Sequence, residues 1–121
     1  MRFLLIGLGG AAGSVLRYWL TGLVQSGAGG TAFPLGTLAV NVVGCFAVGL
    51  LAELAGSRAF FDPGMRGLLI VGLIGGFTTF STFAYETLRA TPLVAVANVL
   101  LSVCLGLSAV WAGGRLAQAL W

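Results

Sequence analysis

A chain of 121 residues that is 59% hydrophobic and 7% charged is too apolar for a water-soluble domain, where about a quarter of residues carry charge. It has room for one domain, 1–121, and its mean hydropathy of +1.07 points to an integral membrane protein. The net charge of +3 comes from six dispersed arginines set against Glu53, Asp62 and Glu86, with no cluster to follow a phosphate backbone, so nucleic acid is excluded as a partner.

The first apolar run predicts a helix over 3–24. Its opening, MRFLLIGLGGAAGS, has the charged start and small residues of a signal peptide, but the apolar character continues through Tyr18, Trp19 and Leu20. Cleavage there would also leave an odd number of spans, so the run is read as a span. Inside it, GLGGAA fits the dinucleotide pattern G-x-G-x-x-A, yet no acidic residue appears before Glu53 and no βαβ pattern surrounds it. Helix packing is the better reading.

QSGAGGTAF follows as a loop, and Pro34 suits the first turn of a second helix over 35–55. GSRAFFDPG is the next loop, and a third helix is expected over 65–89. Thr91-Pro92 reads as an N-cap with proline at the first helical position of a fourth helix over 92–115. Each run is long enough to cross a hydrocarbon core about 30 Å thick. Arg2, Arg17, Arg58, Arg66, Arg89 and Arg115 read as interfacial anchors, as do Trp111 and Trp121.

With both termini on one side, that side holds Arg2, Arg58, Arg66 and Arg115, and the other holds Arg17 and Arg89. The bias toward cytoplasmic termini is weak, as in a protein that inserts in both orientations. Gly9/Gly13 and Gly72/Gly76 have small-xxx-small spacing, which serves equally for packing within one bundle or between subunits. Four thin helices enclose a pathway poorly, so an oligomer is expected. With no histidine and with Cys45 and Cys104 isolated in apolar runs, zinc and iron sites are not expected, and the cysteines read as packing residues.

One stretch departs from apolar filler. GGFTTFSTF, residues 75–83, sets Thr78, Thr79, Ser81 and Thr82 among three phenylalanines. Two glycines followed by an aromatic and two β-branched residues make a poor helix, so a break is expected here. A break in a membrane exposes carbonyls that protein, water or an ion must satisfy, and a cation is chemically suited to them. Drawn as one ideal helix, Phe77, Phe80 and Phe83 span an arc of about 120° and the hydroxyls fill most of the rest. The plain alternative is that the hydroxyls bond back one turn and the rings pack.

Thr37, Asn41 and Cys45 share one face of the second helix, and Asn98, Ser102 and Gly106 one face of the fourth. Ser108 lies elsewhere. Hydroxyls, amide N–H₂ groups and ring edges can hold an anion without trapping it as a fixed charge would. The polar inventory of the chain therefore suits a path for a small hydrated anion.

GLGGAAGSVLRY (7–18), PLGTLAVNVVG (34–44) and GGFTTFSTFAYE (75–86) resemble the signatures of the bacterial fluoride channel family, CrcB or Fluc, over essentially the whole chain. The resemblance implies an all-α membrane protein: four transmembrane helices with a break in the third, in an antiparallel dual-topology homodimer. It implies passive export of fluoride across the bacterial plasma membrane and a structural, untransported sodium ion at the dimer centre. Phe80 and Phe83 match ring-edge positions of the pathway, Asn41 its asparagine, and Thr37, Ser81 and Thr82 its polar positions. Gly75 and Thr78 match the sodium-holding carbonyls, Arg17 a vestibule residue, and Glu86 the acidic residue ending the third motif. Asn98 and Ser102 are placed on the pathway by helical spacing, and Gly106 leaves one step unassigned.

Two other readings compete. A small proton-coupled drug antiporter needs a deep ionisable group, but the first span has no acid and Glu53 and Glu86 sit near helix ends. A structural subunit would conduct nothing. No pairing of general base and nucleophile suggests an enzyme.

Overall fold

The computed structural model describes residues 1–57 and 61–120, so Arg58 and Trp121, assigned above to the interface, lie outside the described residues. Among the described residues, four helices are long and apolar enough to cross a membrane. They are α1 (Arg2–Gly27), α2 (Leu35–Ser57), α3 (Pro63–Arg89) and α4 (Pro92–Ala119), and α3 is interrupted.

After α1, Gly29 and Gly30 take positive φ angles of 66° and 80° and turn the chain, a conformation that costs glycine least. Gln25 fixes that turn: its Nε2 donates to the Phe33 carbonyl at 3.2 Å, and its Oε1 accepts from the Gly36 N–H at 3.1 Å. Pro34 stands one residue before α2 rather than in its first turn. Its carbonyl accepts the first intrahelical bond, from the Leu38 N–H at 3.1 Å, and its missing N–H leaves no donor unsatisfied.

α3 begins at Pro63, two residues before the expected start at residue 65. Asp62, read in the sequence as loop punctuation, is its N-cap: Oδ1 accepts from the N–H groups of Gly64 and Met65 at 2.6 and 2.9 Å. Asp62-Pro63 is thus a start signal of the same kind as Thr91-Pro92. At α4, Thr91 and Pro92 take the expected cap positions, but the Thr91 hydroxyl makes no capping bond.

Residues Gly67–Ile74 wind as a π-helix, with the Gly75 N–H reaching back to the Ile70 carbonyl. Such widened turns are uncommon and mark places where a helix departs from regular packing.

α1 packs along the first half of α3 (residues 63–77), α2 packs along α4, and α1 and α2 join the two pairs. Small residues set the spacing. A Cβ at Gly9 would come within 3.1 Å of the Gly72 Cα, and one at Gly76 within 2.9 Å of the Gly10 Cα. The Gly9/Gly13 and Gly72/Gly76 pairs are therefore an intrachain seam, which decides between the two readings of their spacing. Gly49 and Gly113 make an equally close seam between α2 and α4, against Val110 and Leu50 respectively. The buried apolar side chains are few (Leu38, Val40, Ala55, Ile74 and Ala117), while Phe3, Leu88 and Leu93 are exposed. That inside-out distribution suits a chain solvated by lipid.

Candidate functional site

The interruption of α3 organises the polar residues of the chain. Thr78 ends the first half: its N–H and its hydroxyl both donate to the Ile74 carbonyl, at 2.9 and 3.0 Å. Thr78 and Thr79 are then extended, with ψ of 155° and 116°. The Thr79 N–H, which a continuous helix would direct at Gly75, donates instead to Asn41 Oδ1 at 2.8 Å. Asn41 Nδ2 donates in turn to the Thr79 carbonyl at 3.0 Å. One side-chain amide from α2 thus satisfies both backbone groups of Thr79.

The Thr79 hydroxyl starts the second half, Phe80–Arg89. It accepts from the Thr82 N–H at 3.2 Å and lies 3.0 Å from Thr82 Oγ1 and 3.3 Å from Ser81 Oγ. Among the described residues, the carbonyls of Gly75, Gly76, Phe77 and Thr78 accept no hydrogen bond from any side chain or from backbone outside the helical segments. The break therefore presents oxygen lone pairs at membrane depth.

The ideal-helix arc drawn through Phe77, Phe80 and Phe83 does not survive the break, because Phe77 belongs to the first half. Within the second half the sorting holds. The Phe80 and Phe83 rings stand 5.6 Å apart at a tilt of 45°, close enough to act as one aromatic surface. Phe80 is 79% exposed on this chain, and Ser81 is also exposed.

Two cavities meet at Thr79. The larger, about 880 Å³, is lined by Ser14, Arg17, Thr21, Thr37, Thr79 and Thr82 among others. Thr37 is 3% exposed, and among the described residues its Oγ1 has no hydrogen-bond partner. Its proton is free for a ligand. The smaller cavity, about 400 Å³, is lined by Asn41, Cys45, Gly75, Thr78, Thr79 and Phe80 among others. The shared face of Thr37, Asn41 and Cys45 is thus divided, with Thr37 in one cavity and the other two in the next. Arg17, Thr37 and Thr82 are brought together, as are Asn41, Gly75, Thr78 and Phe80.

Asn98 and Ser102 line neither cavity. Asn98 is 1% exposed and donates to Thr87 Oγ1 at 2.7 Å, while Ser102 Oγ donates to Asn98 Oδ1 at 3.4 Å. Glu86 lines a separate pocket of about 320 Å³ with Gln25, Tyr85 and Arg89, and its Oε2 is buried without a partner among the described residues. Arg89 lies over the Tyr85 ring at 5.2 Å.

The sequence names Thr79 among the hydroxyls of the 75–83 stretch without assigning it a role, and Thr87 does not stand out in it at all. Thr79 had a detectable signal, a hydroxyl residue three before Thr82 at the start of a new helical segment. Thr87 had none, because only tertiary packing brings it to Asn98. Ser14 and Thr21 on α1 also escaped notice, one turn either side of Arg17.

Residues 4–114 match the family model described as CrcB-like protein, Camphor Resistance (CrcB). A protein of Solibacter usitatus named fluoride-specific ion channel FluC is 48% identical over 98% of this chain and 99% of its own length. Proteins of the same name from Methylobacillus flagellatus and Geotalea uraniireducens are 44% and 46% identical, each over 97% of this chain and over 94% and 97% of their own lengths. Such proteins are channels, a transport class rather than enzymes. With nearly the full length matched at this identity, the chain belongs to the CrcB family of fluoride-specific ion channels.

Proposed function

We propose that this protein exports fluoride passively from the bacterial cytoplasm across the plasma membrane, as an antiparallel homodimer with a structural sodium ion at its centre. The observation that carries the proposal is the buried, unpartnered Thr37 hydroxyl in a cavity shared with Arg17 and Thr82 and bordered by the Asn41-clamped break. It supplies neutral donors in sequence, with the one cation of that cavity lining at Arg17.

Arg17 draws the anion toward the cavity by its charge. The hydroxyls of Thr37 and Thr82 replace part of its water shell, and the edges of Phe80 and Phe83 carry the positive part of the ring quadrupole. Asn41 spends one amide hydrogen on Thr79 and keeps a second. Donors of this kind bind weakly enough to release the ion to the next position. Hydrogen fluoride enters cells neutral and dissociates at the higher internal pH, and the inside-negative potential then expels the anion without an energy source.

Exposure of Phe80, Ser81, Ala84, Tyr85 and Leu88 supports the dimer. A hydroxyl and unsatisfied carbonyls facing lipid would be costly, and a second copy would cover them. The weak arginine bias suits opposite orientations of the two copies. The carbonyls at Gly75 and Thr78 fit sodium by their chemistry, as hard oxygen donors left without N–H partners among the described residues, and the cavity they line has no Asp or Glu in its wall, which suits a singly charged ion. Bound there, sodium would supply the positive charge those carbonyls lack.

The test is fluoride efflux from liposomes holding the purified protein, with chloride as control. Fast, valinomycin-dependent fluoride release without chloride release is expected. No release from folded, dimeric protein would overturn the proposal in favour of a structural subunit or an antiporter.

A further inference from the structure

The second half of α3 has little packing of its own. It leaves the α1 and α2 seams at the break, and its contacts within the chain are mainly with α4. Among the described residues, one polar connection crosses that contact, and it runs in a single direction. The Ser102 hydroxyl donates to Asn98 Oδ1 at 3.4 Å, Asn98 Nδ2 donates to Thr87 Oγ1 at 2.7 Å, and the Thr87 hydroxyl donates to the Phe83 carbonyl at 2.7 Å.

The direction of these bonds decides what the residues can do. A hydroxyl has one proton, and that of Thr87 is spent on the Phe83 carbonyl, whereas Ser102 touches Asn98 only at 3.4 Å. Asn98 has one amide hydrogen left, as Asn41 has, but unlike Asn41 and Thr37 it lines neither cavity. An anion needs donors, so this row has little to offer one. Thr37 is the contrast, a buried hydroxyl with its proton unspent. The row also ends on the carbonyl of Phe83, whose ring stands 5.6 Å from that of Phe80.

We propose that Asn98 and Thr87 form a hydrogen-bonded pin that holds the second half of α3, and with it the Phe83 ring, against α4, and that they are positioning residues rather than part of the anion path. This replaces the pathway role that helical spacing suggested for Asn98, and it adds Thr87. It rests on the proposed fluoride conduction only for its functional arm. Asn98 and Thr87 are the essential pair, because the Ser102 bond is long and supports Asn98 only from behind.

The test uses the full-length protein in two independent arms. In the first, hydrogen exchange is followed at the backbone amides of residues 83–89 in Thr87→Val, Asn98→Leu, the double variant, Thr87→Ser and Ser102→Ala. Loss of a hydrogen bond between membrane helices should speed local opening by about threefold to tenfold in either of the first two variants. The double variant should show less than the sum of the single effects, since both remove the Asn98–Thr87 bond while Thr87→Val also removes the Thr87–Phe83 one. Thr87→Ser and Ser102→Ala should stay near wild type. In the second arm, fluoride efflux should fall in Thr87→Val and Asn98→Leu and be restored in Thr87→Ser.

Unchanged exchange in Asn98→Leu, or additive effects in the double variant, would overturn the pin. Should the wild-type protein pass no fluoride, the proposed function fails while the exchange arm still decides the pin. Should Asn98→Leu fail to fold, Thr87→Val against Thr87→Ser carries the same comparison.

Discussion

Asn41 has two demands on it that its sequence position alone does not separate. Its amide holds Thr79 from both sides, so it builds the break as well as lining the cavity beside it. Asn41→Asp keeps the acceptor for the Thr79 N–H but turns a carboxylate oxygen toward the Thr79 carbonyl. Fluoride flux should fall by at least about tenfold, a loss of the size expected when a buried bond is replaced by repulsion. Phe80→Ile should do the same through loss of the ring edge while the protein stays folded. Wild-type flux in a well-folded variant would remove that residue from the mechanism. Thr37→Val tests the free hydroxyl in the opposite sense. Because the Thr37 hydroxyl makes no hydrogen bond among the described residues, its removal should leave the thermal midpoint unchanged or raised, with a gain of up to about 1 kcal/mol, yet lower the flux. A large loss of stability would mean that the hydroxyl has a structural partner.

At the scale of elements, the four spans were legible because apolar runs of membrane-crossing length have few alternatives. Their ends were read less well. Asp62-Pro63 reads in the sequence as a loop because both residues are common there, although together they cap α3. The break was legible at Gly75-Gly76-Phe77-Thr78-Thr79, since helix propensity is local. The π-helical turns before it were not, because Gly67–Ile74 has an apolar sequence compatible with an ordinary helix. The glycine spacing was legible as a close contact but not as a contact with a given partner. Now that Gly13 is placed against Leu73 and Phe77 of α3, Gly13→Val has a definite expected cost. The added side chain meets backbone atoms that cannot rotate away, so overpacking should destabilise the fold by about 1–3 kcal/mol or more. Gly22→Val, at a site with open space around it, is the control. Equal melting in detergent for both variants would contradict the seam.

For the whole molecule, the exposed second half of α3 and the unsatisfied carbonyls at its start belong to one question, namely what covers them. If sodium at Gly75 and Thr78 joins two copies, replacing sodium with N-methylglucamine should weaken the dimer and reduce fluoride flux together. Sedimentation and efflux on the same preparation would measure both. Full flux from an intact dimer in sodium-free buffer would remove the ion from the assembly. The intrachain seams should persist in either case, because glycine packing holds them and no ion bridges them.

The sequence by itself determined the membrane setting, the number of spans, the site of the break and the kind of donor available to an anion. Those properties follow from hydrophobicity, local backbone propensity and side-chain chemistry, each of which is carried by neighbouring residues. Only the tertiary structure decided which polar groups are spent and which are free. Asn41, Thr37 and Asn98 look alike in sequence, as single polar residues in apolar helices. Asn41 is committed to Thr79, Asn98 to Thr87, and Thr37 has no partner among the described residues. A hydrogen bond pairs atoms that can lie dozens of residues apart, as Asn41 and Thr79 do, so the partner, and with it the role, is fixed only when the helices pack.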